Sequence, residues 1–338
     1  MKIAMIGLGF MGSTHLKALS SIPGAELVAV SSADPKQLSG DLSGVQGNIG
    51  GPGEKLDFSN LRRYADAMEA ARDPEVEAVD ICLPTSLHAP VAIEALRHGK
   101  HVLVEKPMAI DGTAADQMIE EAARQSRILM TAQVLRFWPE YVVMHDLVKG
   151  GSVGQVRAGM FRRRCAAPTW GAWIADPKVS GGGIFDLLIH DVDICLHLFG
   201  APEALASWGY EDMPHGIDIL TSEFYYPEIG TVTVTGGWHH PKAYPFSAEY
   251  TVVADGGTIE FSTAGRPATL YKANGEAQTL PVAQKSGYQA EIEYFLDCVK
   301  ANRQPEICPP AESSLAVKLT RLMVEARKRK GEKVSCHF

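Results

Sequence analysis

No stretch of the 338-residue chain reaches the roughly 18 consecutive apolar residues of a membrane-spanning helix. Positive charge is also short: 32 Lys and Arg stand against 40 Asp and Glu, a formal net charge of −8. That balance gives no electrostatic footprint for nucleic acid or an anionic membrane, so neither is an expected partner. Lys and Arg gather densely only from Arg321 to Lys333, which reads as the solvated end of a helix. Six cysteines (Cys82, Cys165, Cys195, Cys298, Cys308, Cys336) are scattered without the paired short spacings of a zinc site, a redox motif or a disulfide framework, and are expected to be buried or idle thiols. The N-terminus turns into a glycine loop at Gly7, too early for a signal peptide, so the expected compartment is the cytosol.

The length exceeds what one hydrophobic core usually fills, so two domains are expected, with a boundary near residues 132 and 133. Lys2 to Ile6 reads as a short apolar strand, followed at once by Gly7-Leu8-Gly9-Phe10-Met11-Gly12 and a helix-like segment to Ser20. In such a loop the first glycine allows the tight turn, the second lets backbone approach a pyrophosphate and the third permits close packing of helix on strand. The phosphates then rest on the helix N-terminus. Gly7, Gly9, Phe10, Met11 and Gly12 are therefore candidate dinucleotide contacts.

An NAD-specific domain of this kind places an acidic residue about 20 residues further on, at the ribose hydroxyls. That position falls on Ser32, at the end of a strand over Glu26 to Val30. Ser31, Ser32 and Lys36 suit a 2′-phosphate, which favours NADP(H) over NAD(H) by a narrow margin. Asp34 keeps the alternative open, either as the start of a helix or, with a register shift of two, as the ribose ligand. Gly40 to Asp57 contains six glycines and little periodicity, and is expected to be a flexible surface insertion.

Beyond it the α/β rhythm resumes: strands near 61–64, 76–82, 101–105 and 128–131 alternate with helices at 66–72, 87–98 and 112–125. This pitch predicts a doubly wound parallel sheet, a Rossmann domain. The strand His101-Val102-Leu103-Val104 leads into Glu105-Lys106-Pro107, which places Lys106 at the carboxyl end of a strand, where the ligand crevice of open α/β sheets lies. In the second half, runs such as Thr231 to Thr235 and Ser222 to Tyr225 alternate with period two, the mark of strands with one buried and one polar face. Helices are predicted at about 287–300 and 311–329. If Ile184 to Phe199 is helical, Asp186, His190, Asp193 and His197 fall on one stripe, at spacings of four, three and four. Three readings of that stripe stay open on spacing alone: acid/base catalysis, a metal site, or a polar helix face without chemistry.

Gly7-x-Gly9-x-x-Gly12, Leu83-Pro84-Thr85-Ser86-Leu87-His88, Glu105-Lys106-Pro107, Arg136-Phe137-x-Pro139-x-Tyr141 and Gly181-Gly182-Gly183-x-x-Asp186-x-x-x-His190-x-x-Asp193 occur in that order over essentially the whole chain. Together they resemble the glucose-fructose oxidoreductase, inositol dehydrogenase and MocA-type family of NAD(P)-dependent oxidoreductases. The resemblance implies a second, α/β domain with a large, mostly antiparallel sheet spanning 133–338, a substrate lying between the domains, and helix 311–329 as a candidate to pack back on the first. It implies a secondary alcohol or ketone of a sugar, inositol or related polyol as substrate.

By the same resemblance Lys106 contacts the reacting oxygen, His190 is the general acid/base, and Asp186 binds substrate or holds the histidine, with no metal; Asp193 and His197 fall to support. Pro84, Thr85, His88, Glu105, Lys106 and Gln133 are then expected around the cofactor, and Arg163, Trp173 and Trp170 are candidates on the substrate side. The Lys106-Pro107 peptide is expected to be cis, and the second sheet to form a homodimer or homotetramer contact. Two other activities occur in such a family: NAD-dependent glycoside cleavage and non-catalytic ligand sensing. The retention of Lys106, Asp186 and His190 argues against the second.

Overall fold

The computed structural model describes residues 1–47, 53–168 and 172–338. It divides into two compact units, the first made of Met1–Val134 and Ser286–Ser314 together with Trp173, the second of Leu135 to 168, Ile174–Lys285 and Leu315–Phe338. The chain order thus differs from a simple cut near residue 132. The segment that joins the first unit is Ser286–Ser314, whereas most of the helix expected to do so, from Leu315 onward, counts with the second.

The first unit runs β1 (Lys2–Ile6), α1 (Phe10–Leu19), β2 (Glu26–Ser31), α2 (Pro35–Leu38), β3 (Arg62–Tyr64), α3 (Ala67–Arg72), β4 (Ala78–Ile81), α4 (His88–Arg97), β5 (His101–Glu105), α5 (Gly112–Gln125) and β6 (Leu129–Ala132). All six strands are parallel, in the order β3-β2-β1-β4-β5-β6, the doubly wound arrangement in which ligands bind at the carboxyl ends of the strands, where the order reverses. β4 and β6 are buried at every position, as strands covered by helices on both faces must be. Short polar side chains start the helices: the Asp111 carboxylate accepts from Ala114 N at 2.9 Å and the Asp66 carboxylate from Met68 N at 2.9 Å.

The glycine-rich insertion is less loose than its composition suggests. Leu42 and Phe58 enter the core with Met5, Leu8, Leu16 and Val30, and Gly40 to Leu42 pairs with Glu54 to Leu56 through Leu42 N to Glu54 O and Leu56 N to Gly40 O. Two apolar anchors at its ends outweigh the glycines between them; residues 48–52 lie outside the described set.

The second unit contains α6 (Pro139–Lys149), β7 (Val156–Cys165), α7 (Pro177–Ser180), α8 (Gly183–Phe199), β8 (Ala204–Asp212), β9 (Ile217–Tyr225), β10 (Thr231–Trp238), β11 (Ser247–Ala254), β12 (Gly257–Ser262), β13 (Arg266–Lys272) and β14 (Ala277–Thr279). α9 (Gly287–Ala301) then belongs to the first unit and lies against α1. After it come α10 (Pro310–Lys328) and β15 (Val334–Ser335). The nine strands order as β14-β13-β12-β11-β7-β10-β9-β8-β15, antiparallel except for the β7–β10 pair. α8 covers one face, against β10, β9 and β7. Among the described residues no helix is long and apolar enough to cross a membrane.

Candidate active site

The glycine loop has the form that a pyrophosphate requires. Gly7 sits at φ +101°, where a Cβ would collide with the Cys82 carbonyl, and a Cβ on Gly12 would collide with the Gly7 carbonyl, so the first glycine makes the turn and the third lets α1 close on β1. A Cβ on Gly9 would meet nothing within 4 Å, so the space over the middle glycine is open. Gly9 is also the N-cap of α1, which has no side-chain cap, and a helix N-terminus of this kind suits an anion. These residues fit a dinucleotide.

At the carboxyl end of β2 the Ser32 hydroxyl donates to Gln37 Oε1 at 2.6 Å and accepts from Asp34 N at 3.1 Å. The Asp34 carboxylate accepts from Lys36 N at 2.8 Å and caps α2. Asp34 thus takes the helix-start role.

Lys106 follows directly on β5 and is half-buried. Its backbone N–H donates to the Glu105 carboxylate at 2.9 Å, and the Lys106-Pro107 peptide is cis, as expected. The ring of His88 is committed to main chain: Nδ1 stands 2.8 Å from Pro107 O and Nε2 2.7 Å from Leu83 O, so His88 ties the turn after β4 to the turn after β5. Thr85 is buried in the first of these turns. Gln133, one residue past β6, is buried, and neither its side-chain oxygen nor its nitrogen meets a hydrogen-bond partner among the described residues. An amide in that state is costly unless a ligand or water satisfies it.

Behind Glu105 lies a cluster that spacing did not reveal. His15 on α1 is fully buried, with Nδ1 2.9 Å from Asp80 Oδ2 and Nε2 3.2 Å from Glu105 Oε1 and 3.7 Å from Glu291 Oε1 on α9. Burial, the largest single effect, works against charge on His15, but Asp80 and Cys82 beside it together outweigh it and raise the imidazole well above its ordinary value. Burial raises Glu291 well above the carboxyl range; His15 works against this, and Glu105 and Asp80 add to it. Neither Glu291 oxygen has a hydrogen-bond partner among the described residues, which fits a carboxyl that keeps its proton. A folded-state value raised in this way lends stability that is complete below the ordinary carboxyl value and is lost as pH rises through the raised one. The melting temperature is therefore expected to fall as pH is raised, and Glu291→Gln, a neutral isostere, to flatten that fall in a thermal-melt series; an unchanged slope would contradict it.

In the second unit, α8 carries the other candidates. Of its 17 residues only Asp186, His190, His197 and Phe199 are not buried. Its N-terminus is set by close packing: a Cβ on Gly183 would collide with the Trp238 ring, and Ile184 N donates to Asp218 Oδ2 at 2.9 Å. Asp193 receives both Nε and Nη2 of Arg136, at 2.8 and 2.7 Å. His197 stacks on His145, ring centroids 4.2 Å apart. Burial, and then the Arg136 guanidinium, pushes His197 down to about 3, so it is neutral. Asp193 and His197 hold the helix, while Asp186 and His190, one turn apart near its N-terminus, are half-buried.

Arg163 is buried: Nε and Nη2 donate to the two oxygens of Asp191 at 2.9 and 3.1 Å, and Nη2 also to Tyr141 Oη at 3.3 Å. Its guanidinium serves an internal ion pair and not an open face. Arg162 and Arg164, on the opposite face of β7, pair with Glu249 at 2.6 and 2.8 Å. Trp173 is half-buried; Trp170 lies outside the described residues.

The sequence matches two family models: the oxidoreductase family with an NAD-binding Rossmann fold over residues 1–133, and the GFO/IDH/MocA C-terminal domain over 141–260. The chain belongs to this family of NAD(P)-binding oxidoreductases. It is 32% identical over 200 residues to myo-inositol 2-dehydrogenase of Thermotoga maritima, an alignment covering 59% of this chain and 55% of that protein, and it spans 64% of an uncharacterized oxidoreductase of Rhizobium meliloti. With the scyllo-inositol 2-dehydrogenase (NADP⁺) of Bacillus subtilis it shares 26% identity over 98% of this chain and 97% of the other. Among solved structures, levoglucosan dehydrogenase in complex with NADH superposes with a TM-score of 0.86 at 17% identity, covering 100% of this chain and 99% of that one, a likeness of fold.

Proposed function

We propose that the protein is an NAD(P)-dependent dehydrogenase that interconverts a secondary alcohol of a sugar, inositol or related polyol with its ketone. The observation that carries this reading is that two acid/base groups, Asp186 and His190, stay half-buried one turn apart on a helix otherwise buried along almost its whole length, in a chain whose Rossmann sheet delivers Lys106 directly at the end of β5. His190 moves the proton of the reacting hydroxyl, Asp186 orients the imidazole or binds a neighbouring hydroxyl, and Lys106 stabilises negative charge on the reacting oxygen. The nicotinamide, when bound, takes or gives the hydride at the adjacent carbon. Gly7, Gly9, Phe10, Met11 and Gly12 would hold its pyrophosphate, and Pro84, Thr85 and the unsatisfied Gln133 amide would line the rest of the cofactor. Relatives named for inositol oxidation support the substrate class.

The test is a screen of myo-inositol, scyllo-inositol and common aldoses and ketoses for cofactor-dependent change in reduced-nicotinamide absorbance. Turnover with at least one, abolished by His190→Asn, is the expected result; cofactor binding without turnover on any polyol would count against the reading.

For the cofactor, the reading is NADP(H) over NAD(H). Ser31 and Ser32 close β2 without a carboxylate, Asp34 is engaged in capping α2, and Lys36 offers a cation nearby. Ser32→Asp introduces a charge that repels a 2′-phosphate by at most a few kcal/mol in a partly solvated site. Titration should show the preference moving toward NAD; a wild-type protein that already strongly prefers NAD would refute it.

The second sheet supplies an assembly surface. Register places Met160, Trp208, Tyr210, Val253 and Tyr271 on the face opposite α8, with Met160 53% and Tyr210 56% exposed. Large apolar side chains on four strands of one face fit a second copy of the chain, giving a homodimer or homotetramer. Light scattering at micromolar concentration should report at least a dimer, and a monomer would overturn the assignment.

A further inference from the structure

We propose that His15 is a positioning residue for the reaction: held between Asp80 and Glu105, it fixes the Glu105 carboxylate that in turn holds the Lys106 backbone N–H, so that Asp80, His15 and Glu105 together set where the lysine stands. The inference rests on the catalytic reading of Lys106.

The chain of contacts is short and wholly inside the first unit. Asp80 on β4 takes His15 Nδ1 at 2.9 and 3.1 Å. His15 Nε2 faces Glu105 Oε1 at 3.2 Å as an ion-pair contact, without the directed geometry of a hydrogen bond, and the other Glu105 oxygen accepts from Lys106 N at 2.9 Å. No water-exposed group intervenes: His15, Asp80, Glu105 and Glu291 are each at most 4% accessible.

Every group facing the imidazole bears on its charge. Asp80 and Cys82 approach from β4, Glu105 from β5, and Glu291 and the Tyr288 ring, 6.1 Å away, from α9. Burial raises the Cys82 thiol, which stays neutral, and Glu291 keeps its proton. Two carboxylates, Asp80 and Glu105, therefore flank one imidazolium. A buried carboxylate deprived of its counter-charge is strongly unfavourable, so without His15 the Glu105 side chain must protonate or turn away, and the Lys106 N–H loses its acceptor. His15 stands one helical turn after Gly12, on the side of α1 that faces the sheet.

The test compares His15→Gln, Glu105→Gln and the double variant, with Lys106→Met as reference, by steady-state oxidation of myo-inositol and scyllo-inositol, together with cofactor titration of each. A misplacement of the lysine of about 1 Å is expected to lower kcat about 100-fold in His15→Gln, with cofactor affinity near wild type. Glu105→Gln should show a similar loss, because its amide N–H₂ faces a donor at either His15 or Lys106. The double variant should lose no more than either single variant, since both changes break the one path to the Lys106 N–H, a non-additivity that a merely structural histidine would not show. Unchanged kcat in His15→Gln, or losses that simply multiply in the double variant, would overturn the inference. If Lys106→Met keeps its turnover, the catalytic reading of Lys106 fails first; if Lys106→Met is inactive while His15→Gln is not, only the role of His15 fails. Imidazole ¹⁵N spectra give a readout without substrate. In the wild-type holoenzyme the signal lost in His15→Gln should show both ring nitrogens protonated near neutral pH, and a neutral ring would contradict the proposal.

Discussion

Lys106→Met is expected to fold, bind cofactor and lose two or more orders of magnitude in kcat, the scale on which one pre-positioned transition-state donor acts. Methionine keeps the length and apolar stem of lysine, so the half-buried position after β5 stays filled and only the ammonium is lost. The loss should appear in kcat more than in the cofactor dissociation constant, because the glycine loop and the β2 terminus, the proposed dinucleotide contacts, do not use this side chain. Turnover near wild type, measured by reduced-nicotinamide absorbance, would remove Lys106 from the chemistry.

The second large effect is on folding. Asp191→Ala leaves the Arg163 guanidinium buried beside Tyr141 without its carboxylate, and breaking such a pair costs about 3–5 kcal/mol. Five residues earlier on the same helix, Asp186→Ala removes a partly exposed carboxylate and should change stability by no more than about 1 kcal/mol while reducing turnover. Denaturant melts of the two variants, read beside their activities, separate the structural acid of α8 from the chemical one. Equal stabilities would contradict the assignment of Asp191.

These two acids show what the sequence disclosed and what it hid. The 3.6-residue period put Asp186, His190, Asp193 and His197 on one stripe, and the structure keeps that stripe but divides it: Arg136 claims Asp193, and burial neutralises His197. Asp191 fell among apolar neighbours and drew no attention, because its partner lies 28 residues away on a strand of another layer. Strand geometry alone separates the faces of Arg162, Arg163 and Arg164, but the role of the odd one depends on what packs beneath it, so Arg163 is expected on the substrate side and is found paired with Asp191. The glycine loop is local, and the turn at Gly7 and the close packing at Gly12 are legible in it. The buried cluster gathers positions 15, 80, 105 and 291 from two helices and two strands, and no local period could announce it. The insertion over Gly40 to Asp57 misled in the other direction. Its glycines suggested a free loop, whereas Leu42 and Phe58 bind its ends into the core.

The account stands or falls on direct hydride transfer from a polyol carbon. The decisive measurement is to incubate the protein and oxidised cofactor with a polyol found active in the screen, carrying deuterium at the oxidised carbinol carbon, and to analyse the reduced cofactor by mass spectrometry. Deuterium recovered stoichiometrically in the nicotinamide, with none after Lys106→Met or His190→Asn, is the predicted result. Reduced cofactor without the label, or label transfer undiminished in both variants, would contradict it.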